Sequence, residues 1–222
     1  MANFSPQENF MNQNKSGLSA EVYQNILQLI LCRELPGGAL IKERQLALKL
    51  NVSRTPVREA INQLEAQGLL SRSAGQLQVA NIGVNEFMEI LNVRALLEIE
   101  SVRLACGRID SELIQRWRNL IAELSAAHSN TAEQHWNVDD AIHNGIAISS
   151  GNTLLAQMLL NLRMRTRMFD HSQLPKRLQP GCTEHLAILD AIEANQPEQA
   201  ARAMQLHINA AKQSILNYLQ GI

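Results

Sequence analysis

Apolar residues recur at helical spacing along most of the chain. Residues 18–31 place them on one helical face, at Val22, Ile26, Leu29 and Ile30. The same spacing predicts helices at residues 43–50, 55–68, 84–107, 110–127, 131–149, 153–169, 182–194 and 197–219. Residues 171–181, with Pro175 and Pro180, are predicted to form a loop. The pattern therefore predicts a mainly α fold.

Residues 18–81 carry a denser set of elements. Two short predicted helices are separated by Asn51-Val52-Ser53, and Thr55 is expected to cap the second, with Pro56 at its first position. Two short β-like runs, 69–73 and 77–79, then flank a turn at Ala74-Gly75. The order helix, helix–turn–helix, hairpin is typical of a winged helix-turn-helix.

Three segments follow from these patterns. Residues 1–17 are rich in Asn, Gln and Ser, lack periodicity, and are predicted to form a disordered arm. Residues 18–81 are predicted to form the winged helix-turn-helix domain. Residues 82–222 are predicted to form a C-terminal all-α helical bundle, which is a normal size for one domain.

Charge is distributed unevenly along the chain. The formal net charge of the 222 residues is -1. Residues 1–82 hold eight of the 20 Lys and Arg and six of the 21 Asp and Glu, a net of +2, and the remaining twelve and fifteen give -3. This asymmetry indicates a DNA-binding surface in the N-terminal third.

The sequence also indicates the compartment. No apolar run is long enough to cross a bilayer, and no basic region precedes an apolar block as in a signal peptide. The three cysteines are far apart and form no CxxC pair. We therefore expect a cytoplasmic protein with no membrane partner.

The start of the second short helix carries polar and cationic side chains. Helix N-termini attract phosphate, and Ser53 and Thr55 can bond phosphate oxygens. Arg54 and Arg58 lie four residues apart, so that one or both can reach guanine in the major groove. An isolated arginine pair would more often form a solvated helix face. The complete string, placed after a turn, favours a DNA contact.

A second group of residues indicates a metal site in the C-terminal domain. Asp139 and His143, at i and i+4, project from one helical face, and Asp140 competes with Asp139 for the same role. A turn between two antiparallel helices is predicted at Gln196. His185 lies eleven residues before it and His207 eleven residues after it. Both histidines are therefore roughly 16 Å from the turn and lie side by side.

Three imidazoles and one carboxylate suit zinc best, with nickel or manganese as alternatives. A single one of these histidines could be a hydrogen-bonded core residue, but the four residues together favour a divalent metal. His128, His135 and His171 fit no such pattern and are predicted to be surface or loop residues.

The sequence resembles the GntR family of bacterial regulators. The resemblance is carried by residues 43–47 (ERQLA), 52–60 (VSRTPVREA), Leu64 and Gly68-Leu69, and the helical C-terminal region is similar to the FadR-type subgroup with its FCD effector domain. The wing, residues 72–76, has fewer basic residues and glycines than in many relatives. The resemblance implies base or phosphate contacts at Arg44, Ser53, Arg54, Thr55 and Arg58, and a wing contact near Gly75.

The resemblance also extends to the metal pattern. Many FCD domains hold a divalent metal with a similar D-x3-H arrangement and two later histidines, and bind an organic acid on it. It implies that Arg94 pairs with the effector carboxylate, with Arg163 and Arg167 as further candidates. Arg94 could instead form a surface ion pair with Glu98, four residues on.

Three functions are compatible with these two groups of residues. The first is a homodimeric repressor that binds double-stranded operator DNA and is controlled by a small carboxylate metabolite on the metal. The second is a metal-responsive regulator. The third is an all-α metal-dependent hydrolase with Asp140 as general base. A complete DNA-binding module without other catalytic groups favours the first, which is not an enzyme.

Overall fold

The computed structural model describes residues 6–127, 131–169 and 178–220 and has a mainly α fold. Two compact units divide the chain, Met1–Ile82 and Gly83–Ile222. Within the described ranges, no helix is long and apolar enough to span a membrane. The elements are α1 Pro6–Leu31, α2 Glu43–Lys49, α3 Arg54–Ala66, β1 Leu70–Ser73, β2 Gln76–Val79, α4 Val84–Ala105, α5 Ser111–Ala126, α6 Ala132–Ser149, α7 Thr153–Met168, α8 Leu178–Glu193 and α9 Pro197–Gln220.

The first unit is a winged helix-turn-helix. Helix α3 packs against α1 and α2, and its fully buried face carries Val57, Ile61 and Leu64. Strands β1 and β2 pair antiparallel around the turn at Ala74-Gly75, whose φ angles are 49° and 77°. Two successive positive φ angles are what a two-residue type I′ hairpin turn requires. The predicted hairpin is therefore the wing.

Helix α1 begins earlier than the sequence pattern predicts. It starts at Pro6, so residues 6–17 are helical rather than a disordered arm, and residues 1–5 lie outside the described chain. Proline is favoured in the first helical turn, and Gln, Glu, Met and Lys in this segment are good helix formers. Because extending an existing helix requires no new nucleus, the polar segment can continue α1 without an apolar face.

Helices α3 and α8 both begin earlier than the sequence pattern predicts, and for the same reason. Helix α3 begins at Arg54 with Ser53 as N-cap, so Thr55 does not cap it and Pro56 is its third residue. Helix α8 begins at Leu178, so the last four residues of the predicted loop are helical and Pro180 is again third. The N–H groups in the first turn of a helix have no acceptor within the helix. A proline at the third position therefore removes no helical hydrogen bond, just as at the first position.

The second unit is a bundle of helices α4 to α9. Helix α4 packs against α6, α7 and α9, while α5 packs against α6 and α8, and α8 packs along α9. The core includes Trp117, Ile142, Ile188 and Met204. Gly145 on α6 lies under the Trp117 ring, where an added Cβ would overlap the ring atoms. This close approach brings α6 against α5.

Candidate nucleic-acid interface and metal centre

The start of α3 is an exposed polar surface in the first unit. Asn51 turns the chain with a φ of 53°, and Ser53 caps α3 through its backbone position without a side-chain hydrogen bond. Ser53, Arg54, Thr55 and Arg58 are all exposed, as is Arg44 on α2. Free N–H groups at a helix start and exposed hydroxyl and guanidinium groups suit phosphate and base contacts.

Glu43 joins the two arginines of α3. The Arg58 Nη2 atom lies 3.1 Å and the Arg54 Nη2 atom 3.4 Å from Glu43 Oε2. The hydrogen bond from Arg58 is the largest cause of a lowered pKa at Glu43, so this carboxylate is ionised at neutral pH. The arginine side chains remain 62% and 60% exposed, and both guanidinium groups lie on the outer surface of the helix pair.

The wing, residues 70–79, carries one arginine, Arg72, and no lysine. Gly75 is exposed at the hairpin turn, as the sequence pattern predicts. Arg72 on β1 donates to Glu65 of α3 at 2.9 Å through Nε and 3.3 Å through Nη2. The wing arginine is thus held against α3 by two parallel hydrogen bonds.

Four residues predicted to bind metal converge in the second unit. Asp139 and His143 lie on α6, His185 on α8 and His207 on α9, and one donor atom from each lies within 4.8 Å of the others. The Nε2 atom of His143 lies 3.2 Å from both His185 Nε2 and His207 Nε2, and Asp139 Oδ1 lies 3.3 Å from His185 Nε2. The α8–α9 hairpin places its two imidazoles side by side, with centroids 4.6 Å apart.

Two carboxylates outside the group determine which ring nitrogen is protonated. Glu98 contacts Nδ1 of His143, and Glu184 lies 2.8 Å from Nδ1 of His207. Since an ionised carboxylate only accepts hydrogen bonds, both Nδ1 atoms carry the proton and both Nε2 atoms carry a lone pair. The Nε2 atoms of His143 and His207 lie 3.2 Å apart, so their lone pairs face the same space. Tetrahedral ligands about 2.1 Å from a zinc ion lie about 3.4 Å apart, so a cation fits between them.

Two of the histidines, His143 and His207, are in the protonation state that metal binding requires. Burial lowers the pKa of His143 to about 3, and Arg163 also lowers it, against the opposing effect of Glu98. Burial likewise lowers the pKa of His207. For Asp139, burial opposes ionisation, but the Arg163 guanidinium holds its pKa well below the usual range. His143 and His207 therefore offer neutral imidazoles, and Asp139 an ionised carboxylate, near pH 7.

Arginines Arg94 and Arg163 border the cluster. Arg163 is buried and donates to Asp139 and, at 2.7 Å, to Asp140, while its Nη1 finds no hydrogen-bond acceptor among the described residues. Arg94 donates to Glu98 at 2.7 Å and to Thr166 at 3.3 Å. The Arg94–Glu98 ion pair is thus present but buried, so the surface location considered from the sequence is wrong.

Two further candidates stand apart from the four donors. Asp140, the alternative to Asp139, is not in the cluster and instead binds Arg163 and, at 3.0 Å, Arg167. Among the described residues, Arg167 contacts Asp140 rather than one of the four donors, and its guanidinium carbon lies 5.9 Å from the centre of a Trp136 ring. His135 is half-buried on α6 rather than in a loop, and His128 and His171 lie outside the described residues.

Sequence reasoning missed Glu98 and Glu184 as partners of the histidines. Glu98 is 45 residues from His143, and nothing in the local spacing connects them. Glu184 precedes His185 but contacts His207 on the next helix. For Glu184, its position directly before the candidate ligand His185 was the only signal in the sequence.

The fold and the two sites define a DNA-binding regulator with a helical regulatory domain. Residues 18–78 match the profile of the bacterial regulatory proteins of the gntR family, and residues 89–210 match the FCD domain. The chain therefore belongs to the GntR family, in its FadR-type subgroup, and is a DNA-binding transcription regulator rather than an enzyme.

Individual relatives agree with this assignment. A probable D-xylose utilization operon transcriptional repressor of Paenarthrobacter nicotinovorans is 30% identical over 207 residues, covering 88% of each chain. The Nta operon transcriptional regulator of Aminobacter aminovorans is 28% identical, covering 83% of this chain and 88% of its own. Among solved structures, Escherichia coli McbR/YncC has the same fold, with a TM-score of 0.77, 24% identity and coverage of 92% of this chain and 98% of its own.

Proposed function

We propose that the protein is a repressor whose operator binding is controlled by a small organic acid bound at a divalent metal site. The DNA-binding surface is the α3 start with Arg44, Ser53, Arg54, Thr55 and Arg58, with Gly75 as the wing contact. The metal ligands are Asp139, His143, His185 and His207. The best candidate metal is zinc, and the same donors also suit nickel and manganese.

The observation that carries the metal proposal is the pair of opposed lone pairs. Two neutral imidazoles held by Glu98 and Glu184 direct unprotonated Nε2 atoms at each other across 3.2 Å. No hydrogen bond can form between two acceptors, and a cation between them removes the repulsion. When bound, the ion would supply positive charge and open coordination positions for an effector carboxylate.

The arginines beside the cluster support an acidic effector. Arg163 Nη1 is a buried donor without a hydrogen-bond acceptor in the described chain, and it lies 3.7 Å from Glu98 Oε1. The Nη2 atom of Arg94 lies 2.6 Å from the same Glu98 oxygen. A carboxylate bound at the metal would meet both guanidinium groups, and Arg167 would act through Asp140.

A homodimer is part of the proposal. One recognition helix reads few base pairs, and two copies on a palindromic operator supply useful specificity. Repression agrees with the relative from Paenarthrobacter nicotinovorans, which is described as a probable repressor. We expect sedimentation equilibrium to give twice the 24.7 kDa chain mass, and a monomer bound to operator would contradict the dimer.

The test separates the metal from the DNA-binding surface. Purified wild-type protein is expected to contain about one equivalent of metal per chain. His185→Ala is expected to lose the metal and the response to organic acids while still binding operator. His135→Ala is the matched control, because it removes an imidazole of α6 that is outside the cluster. Full metal content in His185→Ala would refute the site.

The same experiment distinguishes the metal-responsive alternative. A metabolite sensor keeps its operator affinity when zinc is added or chelated and changes it only when an acid is supplied. Release of operator by zinc addition or chelation alone would replace the metabolite proposal with a metal-responsive regulator.

A further inference from the structure

Glu98 is a buried carboxylate at the centre of the charged cluster, although it is not one of the four donors. Its side chain is 3% exposed and lies on α4. It contacts His143 on α6, Arg94 on α4 and Arg163 on α7. One side chain thus connects the candidate metal ligands to both arginines proposed to bind the effector.

The two oxygens of Glu98 have separate partners. Oε2 contacts Nδ1 of His143. Oε1 accepts from Arg94 at 2.7 Å through Nε and lies 2.6 Å from its Nη2. Arg94 therefore holds one side of the carboxylate, while the other side holds the imidazole. Glu184 makes the equivalent contact to His207 from a more exposed position, with 23% of its side chain accessible.

We propose that Glu98 is a positioning residue that sets the metal affinity through His143. It keeps the proton on Nδ1 and thereby directs the Nε2 lone pair of His143 into the cluster. Arg94 affects the metal only indirectly, by holding Glu98. This inference rests on the proposed function, because it assumes that the four donors bind a divalent cation.

The physical reason is the hydrogen-bonding capacity of each partner. Arginine only donates, and His143 can present a donor or an acceptor at Nδ1 depending on its tautomer. A glutamine at position 98 has one acceptor oxygen, which Arg94 would take, leaving the amide NH2 towards His143. Nδ1 would then have to accept, the proton would move to Nε2, and the lone pair would no longer face the metal site.

The experiment measures zinc affinity of the full-length protein by competition with a chromophoric chelator. Glu98→Gln is expected to weaken zinc binding by roughly tenfold to a hundredfold. Arg94→Gln breaks the same buried ion pair but keeps the carboxylate on His143, and its loss is expected to be several times smaller. Glu100→Gln is the surface control, because Glu100 lies on the same helix and pairs with Arg103 at 2.8 Å. It should leave the affinity unchanged.

A second measurement reads the tautomer directly in the metal-free protein. Long-range ¹H–¹⁵N spectra of the imidazoles should show His143 protonated at Nδ1 in wild type and Arg94→Gln, and at Nε2 in Glu98→Gln. If Glu98→Gln does not fold, Glu98→Asp keeps the charge but withdraws the carboxylate by one methylene. It should then weaken zinc binding in the same direction.

The outcomes separate this inference from the proposed function. Equal losses of zinc affinity in Glu98→Gln and Arg94→Gln would mean that only the buried ion pair matters, and would overturn the inference. An unchanged His143 tautomer in Glu98→Gln would do the same. Wild-type protein that binds no zinc, nickel or manganese would instead refute the metal proposal on which the inference rests.

Discussion

Single residues at the two sites differ most in how far they are removed from water. Arg54 and Arg58 share Glu43 at an exposed surface, where an ion pair contributes little because water screens it. A DNA phosphate or a guanine can therefore replace Glu43 at small cost. Arg163, in contrast, is buried among Asp139, Asp140 and Glu98, and its charge is compensated inside the protein. The first two arginines are available to a partner, and the third organises a site.

This difference predicts the effect of arginine substitutions on operator binding. Arg54→Ala or Arg58→Ala is expected to cost about 1–3 kcal/mol of binding free energy, because we propose that each arginine contacts a base or a phosphate. Fluorescence anisotropy with labelled operator measures the loss. Arg72→Ala is the control, because Arg72 has a similar exposure but is held by Glu65. A loss at Arg72 equal to that at Arg58 would show that the wing contributes as much as α3.

At the scale of elements, the donor cluster depends on how the helices approach one another. The α8–α9 hairpin turns at Asn195, which has a φ of 50°, and sets His185 and His207 side by side. Helix α6 supplies the other two donors, and Gly145 allows it to contact Trp117 of α5. Because His143 lies only two residues before Gly145 on α6, the packing at Gly145 helps to fix the position of the His143 side chain.

Glycine-to-alanine substitutions in two helices test this packing. Gly145→Ala is expected to destabilise the protein by about 1–3 kcal/mol, because the new methyl group overlaps the Trp117 ring. Gly17→Ala in α1 is the matched control, since nothing lies within 4 Å of an added Cβ there. It should be neutral or stabilise α1 by up to about 1 kcal/mol. Thermal unfolding followed by circular dichroism distinguishes the two, and a stabilised Gly145→Ala would contradict the close approach.

At the scale of the molecule, the two functions occupy separate units. The proposed DNA-binding surface lies in Met1–Ile82 and the donor cluster in Gly83–Ile222. An effector can alter operator binding only if it binds the DNA-competent and DNA-incompetent states with different affinity. We expect the two compact units to unfold in separate transitions.

Metal binding is expected to stabilise the second unit alone. Free zinc at a hundred times its dissociation constant should add about 2.7 kcal/mol to the unfolding free energy of that unit. Differential scanning calorimetry should therefore show the transition of the second unit moving to higher temperature with zinc. In His185→Ala this shift should disappear. An equal shift of both transitions in wild type would show that zinc acts elsewhere in the chain.

Much of this organisation could be predicted from the sequence because its determinants are local. Helical periodicity identified the bundle, the string at residues 52–60 predicted the turn before α3 and the helix that follows it, and the equal spacing of His185 and His207 from Gln196 predicted their proximity. Each of these signals depends on the geometry of one helix or one turn. The start of α1 at Pro6 was missed, because a polar segment that extends a helix has no periodic face to reveal it.

The remaining features were decided by tertiary structure. Asp139 and Asp140 differ by about 100° around α6, and only the rotation of that helix against its neighbours selects Asp139 for the cluster. The contact between Glu98 and His143 joins residues 45 positions apart. Periodicity specifies which face of a helix is buried, but the partner that each buried polar group meets depends on how the helices pack together.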